Sequence, residues 1–137
     1  MIDLKKLFNI IPFENQLSRI HHVGFLIPYD MSNIDISSIC EKNCIIEILN
    51  AEVGFIRYND LIIELIRPIN KKSILYTASS KIDVITFDHF GYLKSDASFL
   101  LEKKFLKISK FYTCLFETDV EFLIFNNTKI EIVHDNF

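Results

Sequence analysis

Apolar residues in this chain fall into short alternating runs that are separated by turn signals. In the first half, strands are predicted at residues 19–28, 44–49, 54–58 and 61–67. A weaker pattern of helical spacing, near residues 34–40, follows the first of these strands. The second half repeats this succession, with a helix near 99–104 and strands at 84–93, 108–116, 120–125 and 129–134. The order strand, helix, strand, strand, strand therefore occurs twice.

The two halves also repeat each other residue by residue at a fixed offset. His22-Val23-Gly24 returns as His89-Phe90-Gly91, and the turn before Glu64 returns before Glu131, so that 89 − 22 = 131 − 64 = 67 residues. Such a repeat identifies the structural unit of a chain. It predicts a first βαβββ module at 19–68, a linker at 69–83, a second module at 84–137 and an N-terminal extension at 1–18. The extension is expected to form a short helix over a sheet edge or an oligomer contact.

Composition narrows the class of protein further. Half of the residues are apolar, thirteen are Phe, and only three are Gly and three Pro, which is typical of a packed domain without disorder. The net charge of −3, without a basic stripe, argues against nucleic acid as a partner. No apolar stretch approaches about 18 residues, so no membrane span is expected. Cys40, Cys44 and Cys114 are odd in number and lack framework spacing, which favours free thiols and a cytoplasmic location.

His22, Glu64, His89 and Glu131 carry the side chains of metal ligands at equivalent positions of the two copies. A glutamate inside a run as apolar as residues 61–66 is costly to bury unless it is paired or bound. If the copies pack about a pseudo-twofold axis, equivalent residues face each other across that axis. Two imidazole nitrogens and two carboxylate oxygens suit a divalent ion with open positions for water or substrate.

Two short motifs resemble the vicinal oxygen chelate superfamily: His-Val-Gly-Phe at residues 22–25 and Ile-Ile-Glu-Leu-Ile-Arg-Pro at residues 62–68. This superfamily includes methylmalonyl-CoA epimerase, glyoxalase I, extradiol dioxygenases and the fosfomycin and bleomycin resistance proteins. The resemblance implies an α+β, glyoxalase-like fold, in which two βαβββ modules form a curved mixed sheet, or incomplete barrel. It also implies a homodimer. It places His22, Glu64, His89 and Glu131 in the family's ligand positions for Ni, Co, Mn or Zn.

The ligand set also implies a class of reaction. Dioxygenases of the superfamily use two histidines and one carboxylate, so the second carboxylate, Glu64, argues against oxygen chemistry. The set is similar to that of the epimerases, which move a proton α to a carbonyl through a metal-stabilised enediolate. We therefore expect an epimerase or isomerase, most like methylmalonyl-CoA epimerase. Its expected substrate is a small molecule with vicinal oxygens, with an acyl-CoA among the candidates. The alternatives are a glyoxalase I-like lyase and a metal-free ligand-binding or resistance protein.

Individual residues also receive expected roles. Glu131 is expected to act as both ligand and base, as the resemblance implies. Glu47, predicted to lie in the middle of a strand, is the candidate for an opposing base, although Glu52 competes for the role and a solvent-facing Glu47 is the simpler interpretation. His21 and His134 are expected to point to the opposite face of the sheet, where they would be structural.

Overall fold

Each sequence repeat forms four strands, and all eight strands join one curved sheet. A computed structural model of the chain describes residues 2–102 and 105–135. The strands are β1 His22–Leu26, β2 Lys42–Ile46, β3 Ala51–Tyr58, β4 Leu61–Pro68, β5 Thr86–Leu93, β6 Phe105–Thr113, β7 Thr118–Phe125 and β8 Thr128–Val133. Their order in the sheet is β2-β3-β4-β1-β5-β8-β7-β6. The predicted α+β fold with a glyoxalase-like incomplete barrel is confirmed.

The pseudo-twofold relation of the repeats is visible in the strand pairing. β1 and β5 lie antiparallel at the centre, and each is flanked by a parallel partner from its own half, β4 and β8 respectively. The turns Asn59-Asp60 and Asn126-Asn127 have positive φ at both residues, between 51° and 63°. Two-residue hairpins of this kind favour Asn and Asp, so equivalent sequence produces equivalent turns before both glutamates.

The helices are shorter than the sequence pattern predicts. They are α1 Leu4–Asn9, α2 Ile36–Ile39 and α3 Tyr76–Ser80. The helix predicted near 99–104 is instead a 3₁₀ segment, Ser98–Glu102, and residues 103–104 lie outside the described part of the chain. None of the helices in the described ranges is long and apolar enough to cross a membrane.

The convex face of the sheet holds the main core. Val23, Phe25, Phe90 and Tyr92 alternate along β1 and β5 with the residues of the concave face, and they are fully buried. Leu7 of α1 joins this cluster, as does Ile11. The N-terminal segment thus packs into the core rather than covering a sheet edge, which corrects that expectation.

A disulfide between Cys44 and Cys114 joins the two ends of the curved sheet. Cys44 lies on the edge strand β2, and Cys114 directly follows the opposite edge strand β6. The expectation of free thiols is therefore wrong for both residues, and only Cys40 is free. These residues are 70 positions apart, and only the curvature of the sheet brings them together. The argument for a cytoplasmic location from reduced cysteines loses its basis.

Candidate metal centre

Four neighbouring strands carry the four predicted ligand residues to the concave face. Glu64 on β4 lies opposite Gly24 of β1, and Glu131 on β8 lies opposite Gly91 of β5. The histidines stand two residues before these glycines, so that they share a face with them. The central β4-β1-β5-β8 segment therefore brings His22, Glu64, His89 and Glu131 together, and these residues are called the quartet below.

The geometry of the quartet is that of a compact donor cluster. The Nε2 atoms of His22 and His89 are 3.1 Å apart. Each Nε2 lies 3.0–3.3 Å from one carboxylate oxygen of Glu64 and one of Glu131. One donor atom from each residue lies within 4.8 Å of all the others. Bonds of about 2.1 Å from nitrogen and oxygen to a divalent ion require separations of this order, so the donor set fits such an ion after small adjustments.

Two glycines make this approach of the imidazoles possible. A Cβ atom at Gly24 would lie 2.0 Å from Cε1 of His89, and a Cβ atom at Gly91 would lie 2.0 Å from Cε1 of His22. Each histidine therefore occupies the space that a side chain would need in the other copy. The His-x-Gly spacing that revealed the repeat is thus a steric requirement of the site.

Burial and charge determine how the quartet titrates. Its members are only 0–3% exposed. Burial by itself lowers the pKa of an imidazole, but Glu131 and Glu64 outweigh this effect at His22 and raise its pKa. The pKa of His89 is raised further, since Asp88 also accepts a hydrogen bond from it. The two imidazoles hold the pKa of Glu131 far below its usual range in spite of burial.

Each quartet histidine has a hydrogen-bond partner at its other ring nitrogen. Nδ1 of His22 lies 2.8 Å from Nδ1 of His21, and Nδ1 of His89 lies 2.8 Å from Oδ2 of Asp88. Burial lowers the pKa of His21 to about 4, which favours its neutral form. The contact between the two Nδ1 atoms places the ring of His21 beside the quartet. The expectation that His21 points to the opposite face is therefore wrong.

His134 lies away from the quartet, as expected. Its Nε2 lies 3.1 Å from Oε2 of Glu121.

Asp88 is the functional candidate that the sequence interpretation missed. The repeat contained the signal for it, because 88 − 21 = 67 makes Asp88 the equivalent of His21.

Apolar side chains fill the concave side of the sheet next to the quartet. Phe116 packs against the rings of His21 and His22 at centroid distances of 5.0 and 4.8 Å. Leu115 is 1% exposed beside the disulfide. The cavity that Glu64 and Glu131 line measures about 10 Å³. This volume accommodates no more than a water molecule, so a larger ligand would need more space beside these two carboxylates.

Glu47 does not reach the quartet. The strand predicted at 44–49 ends at Ile46, and Glu47 begins a 3₁₀ turn, which corrects its predicted position in the middle of a strand. Its side chain is exposed and lines a surface groove with Phe111 and Cys114. The competing residue Glu52 lies 3.9 Å from Arg67, with which it forms an ion pair.

Comparison with known proteins identifies the fold. No protein-family model matches the sequence, and no curated protein matches it. The structure is similar to methylmalonyl-CoA epimerase from Mycobacterium tuberculosis, with a TM-score of 0.64 and 12% identity over 86% of this chain and 88% of that one. It is also similar to a hypothetical protein from Bacillus halodurans C-125, with a TM-score of 0.68 and 12% identity over 89% and 97%. The chain therefore shares the fold of these two proteins, which is the glyoxalase-like fold that the sequence resemblance implied.

Proposed function

We propose that the chain binds one divalent metal ion through the quartet and is a metal-dependent epimerase or isomerase. The reaction would move a proton α to a carbonyl group of a small substrate with vicinal oxygens. The observation that carries this proposal is the convergence of two imidazole nitrogens and two carboxylate oxygens within 4.8 Å in a buried site. The fold shared with a methylmalonyl-CoA epimerase supports an acyl substrate, including an acyl-CoA.

The donor set determines what the ion would supply. Nitrogen and oxygen donors suit Zn, Ni, Co or Mn, and an ion held by these four residues would keep positions open for substrate oxygens. A bound ion would polarise a carbonyl oxygen and so acidify the neighbouring C–H bond. Glu131 would accept that proton, since its carboxylate is anionic and lies inside the site. His22 and His89 would position the substrate oxygens by anchoring the ion.

The second base remains a prediction. Glu47 is exposed at the rim of the concave side, next to the disulfide, and would have to turn inward once that side opens. Glu47→Gln should then stop proton transfer on one face of the substrate. The matched variant Glu52→Gln alters the carboxylate that pairs with Arg67 and should leave transfer unchanged. Equal rates in the two variants would remove Glu47 from the mechanism.

Metal content and isotope exchange test the proposal directly. Purified protein should contain one equivalent of Ni, Co, Mn or Zn by elemental analysis, and His22→Ala should lose it because a nitrogen donor is removed. Solvent deuterium should enter the α position of an acyl substrate such as methylmalonyl-CoA. Glu131→Gln should reduce this exchange by a factor of about 100 or more, as expected for loss of a general base. Undiminished exchange in Glu131→Gln would exclude that carboxylate as the base.

A second candidate function is favoured by the filled concave side. A cavity of about 10 Å³ beside Glu64 and Glu131 is compatible with a protein that holds a metal ion, or a small ligand, without turnover. Stoichiometric metal without any isotope exchange would support this candidate over the epimerase. Metal-free protein that still binds an apolar ligand would support the binding or resistance protein of the same fold.

The homodimer implied by the resemblance is a separate prediction, which sedimentation analysis would test.

Opening of the disulfide should make the quartet more accessible. Cys44 and Cys114 join the sheet ends on either side of the filled concave face, and Lys42 and Glu117 form an ion pair of 3.3 Å across the same junction. We expect a phosphine reductant, or the variant Cys44→Ser, to accelerate zinc transfer from the protein to a chelating dye. The variant Cys40→Ser, which removes the free thiol, is the control. An unchanged transfer rate after reduction would show that the disulfide does not limit access.

A further inference from the structure

The two residues that precede the quartet histidines occupy equivalent positions but differ in chemistry. His21 and Asp88 are 67 positions apart, like His22 and His89. Each lies 2.8 Å from Nδ1 of the histidine that follows it. Nε2 of that histidine therefore faces the other members of the quartet. The repeat therefore extends beyond the candidate ligands. One copy offers an imidazole nitrogen as the acceptor, whereas the other offers a carboxylate.

A β-bulge explains how Asp88 reaches this position. Consecutive residues of a regular strand point to opposite faces, so the carboxylate beside His89 should lie on the convex side. The register between β1 and β5 shifts at this point: Gly24 pairs with His89, but Phe25 pairs with Phe87. Asp88 is therefore the extra residue of a bulge, and such irregularities redirect side chains next to functional sites.

The position of Asp88 is itself held by further contacts. Nζ of Lys129 lies 3.3 Å from Oδ1 of Asp88 and 5.4 Å from the centroid of the Phe122 ring. The ring of His89 meets Phe122 edge to face at 5.1 Å. The carboxylate is therefore fixed between a lysine and an imidazole, and both of its oxygens have partners.

From this arrangement we infer that Asp88 and His21 are positioning residues for the ligand histidines. Each holds the histidine that follows it with Nδ1 protonated and Nε2 free to bind the ion. Asp88 is the stronger acceptor of the two. The inference rests on the proposed metal site but not on the proposed reaction. A carboxylate that accepts from a ligand histidine fixes its ring and increases its basicity. A neutral imidazole acceptor forms a weaker hydrogen bond, because charge-assisted bonds are roughly twice as strong. The two copies therefore supply unequal nitrogen donors.

Metal affinity measured by competition with a chelating dye tests this inference without reference to any substrate. Asp88→Ala should lower the affinity for Zn²⁺ by about 10- to 100-fold, the range for loss of such a partner. Asp88→Asn keeps an acceptor oxygen but loses the charge, so its loss should be smaller than that of Asp88→Ala. His21→Ala should lower the affinity less than Asp88→Ala does. Glu121→Gln, which alters the histidine–carboxylate pair at His134, is the matched control and should leave the affinity unchanged.

A spectroscopic readout separates positioning from a general loss of stability. In the zinc-loaded protein, ¹⁵N NMR should show a proton on Nδ1 of both His22 and His89, and the signal from His89 should change in Asp88→Ala but not in Glu121→Gln. The visible spectrum of the Co²⁺-loaded protein should likewise change in Asp88→Ala and stay unchanged in Glu121→Gln. Wild-type affinity and spectra in Asp88→Ala would overturn the inference while leaving the metal site intact. A wild-type protein that takes up no metal would overturn both this inference and the proposed function.

Discussion

Replacing Gly24 or Gly91 by alanine should abolish stoichiometric metal uptake. A Cβ atom at Gly24 would lie 2.0, 2.4 and 2.5 Å from Cε1, Nδ1 and Nε2 of His89, and the corresponding atom at Gly91 would meet His22 in the same way. These separations are far below van der Waals contact, so the imidazole must leave its position. His89 cannot move without breaking its hydrogen bond to Asp88 and its contact with Phe122. Elemental analysis of the purified variants measures the effect.

A control for this prediction exists at the third glycine. A Cβ atom at Gly54 would lie 2.6 Å from Ile36 and 2.7 Å from Cys40, which also forces a local rearrangement but not at the quartet. Overpacking of this kind typically costs about 1–3 kcal/mol of stability. Gly54→Ala should therefore be destabilised and still bind one equivalent of metal, whereas Gly24→Ala should lose its metal. Full metal content in Gly24→Ala would show that the ring of His89 is not a ligand in the position described.

The second large effect concerns stability, which should depend on metal and pH together. Metal removal should leave the stability of the quartet dependent on protons, because the carboxylates beside His22 and His89 raise the pKa values of both imidazoles. The pKa values of both histidines are raised above 6.5 in the folded protein. Their protonation therefore stabilises the metal-free fold fully below pH 6.5, and this contribution is lost as the pH rises through the raised values. The pKa of Glu131 is lowered, so its contribution is present above pH 4.5 and is lost only in acid.

A bound ion should cancel this loss of stability above pH 6.5, because the metal-bound histidines of the folded state and the histidines of the unfolded state then both lack the extra proton. The ion takes the place of the imidazole protons, and each displaced proton makes metal binding more favourable by about 1.4 kcal/mol per pH unit in that range. With free metal at about 1,000 times its dissociation constant, the free energy of unfolding should rise by about 4 kcal/mol. This stabilisation should therefore be small at pH 5.5 and large at pH 8.

Urea unfolding with and without Zn²⁺ at these two pH values provides the measurement. Calorimetric titrations in two buffers of different ionisation enthalpy would count the protons released. His22→Gln serves as the control, because it removes one of the two protonated groups and should flatten the pH dependence of the metal-free protein. An equal gain in stability from metal at pH 5.5 and pH 8 would show that the ion does not displace protons from the histidines.

Much of the candidate site could be predicted from the sequence, because its signals are local and occur twice. The His-x-Gly spacing and the turn before each glutamate recur at the same offset, and alternation along a strand assigns each residue to a face. The same signals predicted the strands of both modules and the turns at Asn59 and Asn126. Helices were predicted less well, since the segment near 99–104 has apolar spacing but forms a 3₁₀ turn in its described part.

The remaining features depend on contacts that no local pattern records. The disulfide between Cys44 and Cys114 needs the sheet to curl until its two edges meet, and the same curvature packs Phe116 over the histidines. Asp88 faces the quartet only because a bulge breaks the alternation on which the sequence argument relies. The sequence by itself thus determined the repeated unit and the identity of the quartet, because these follow from spacing along one strand at a time. Only the tertiary structure decided what surrounds the quartet and how little space lies beside it, because curvature and register shifts arise between strands that are distant in sequence.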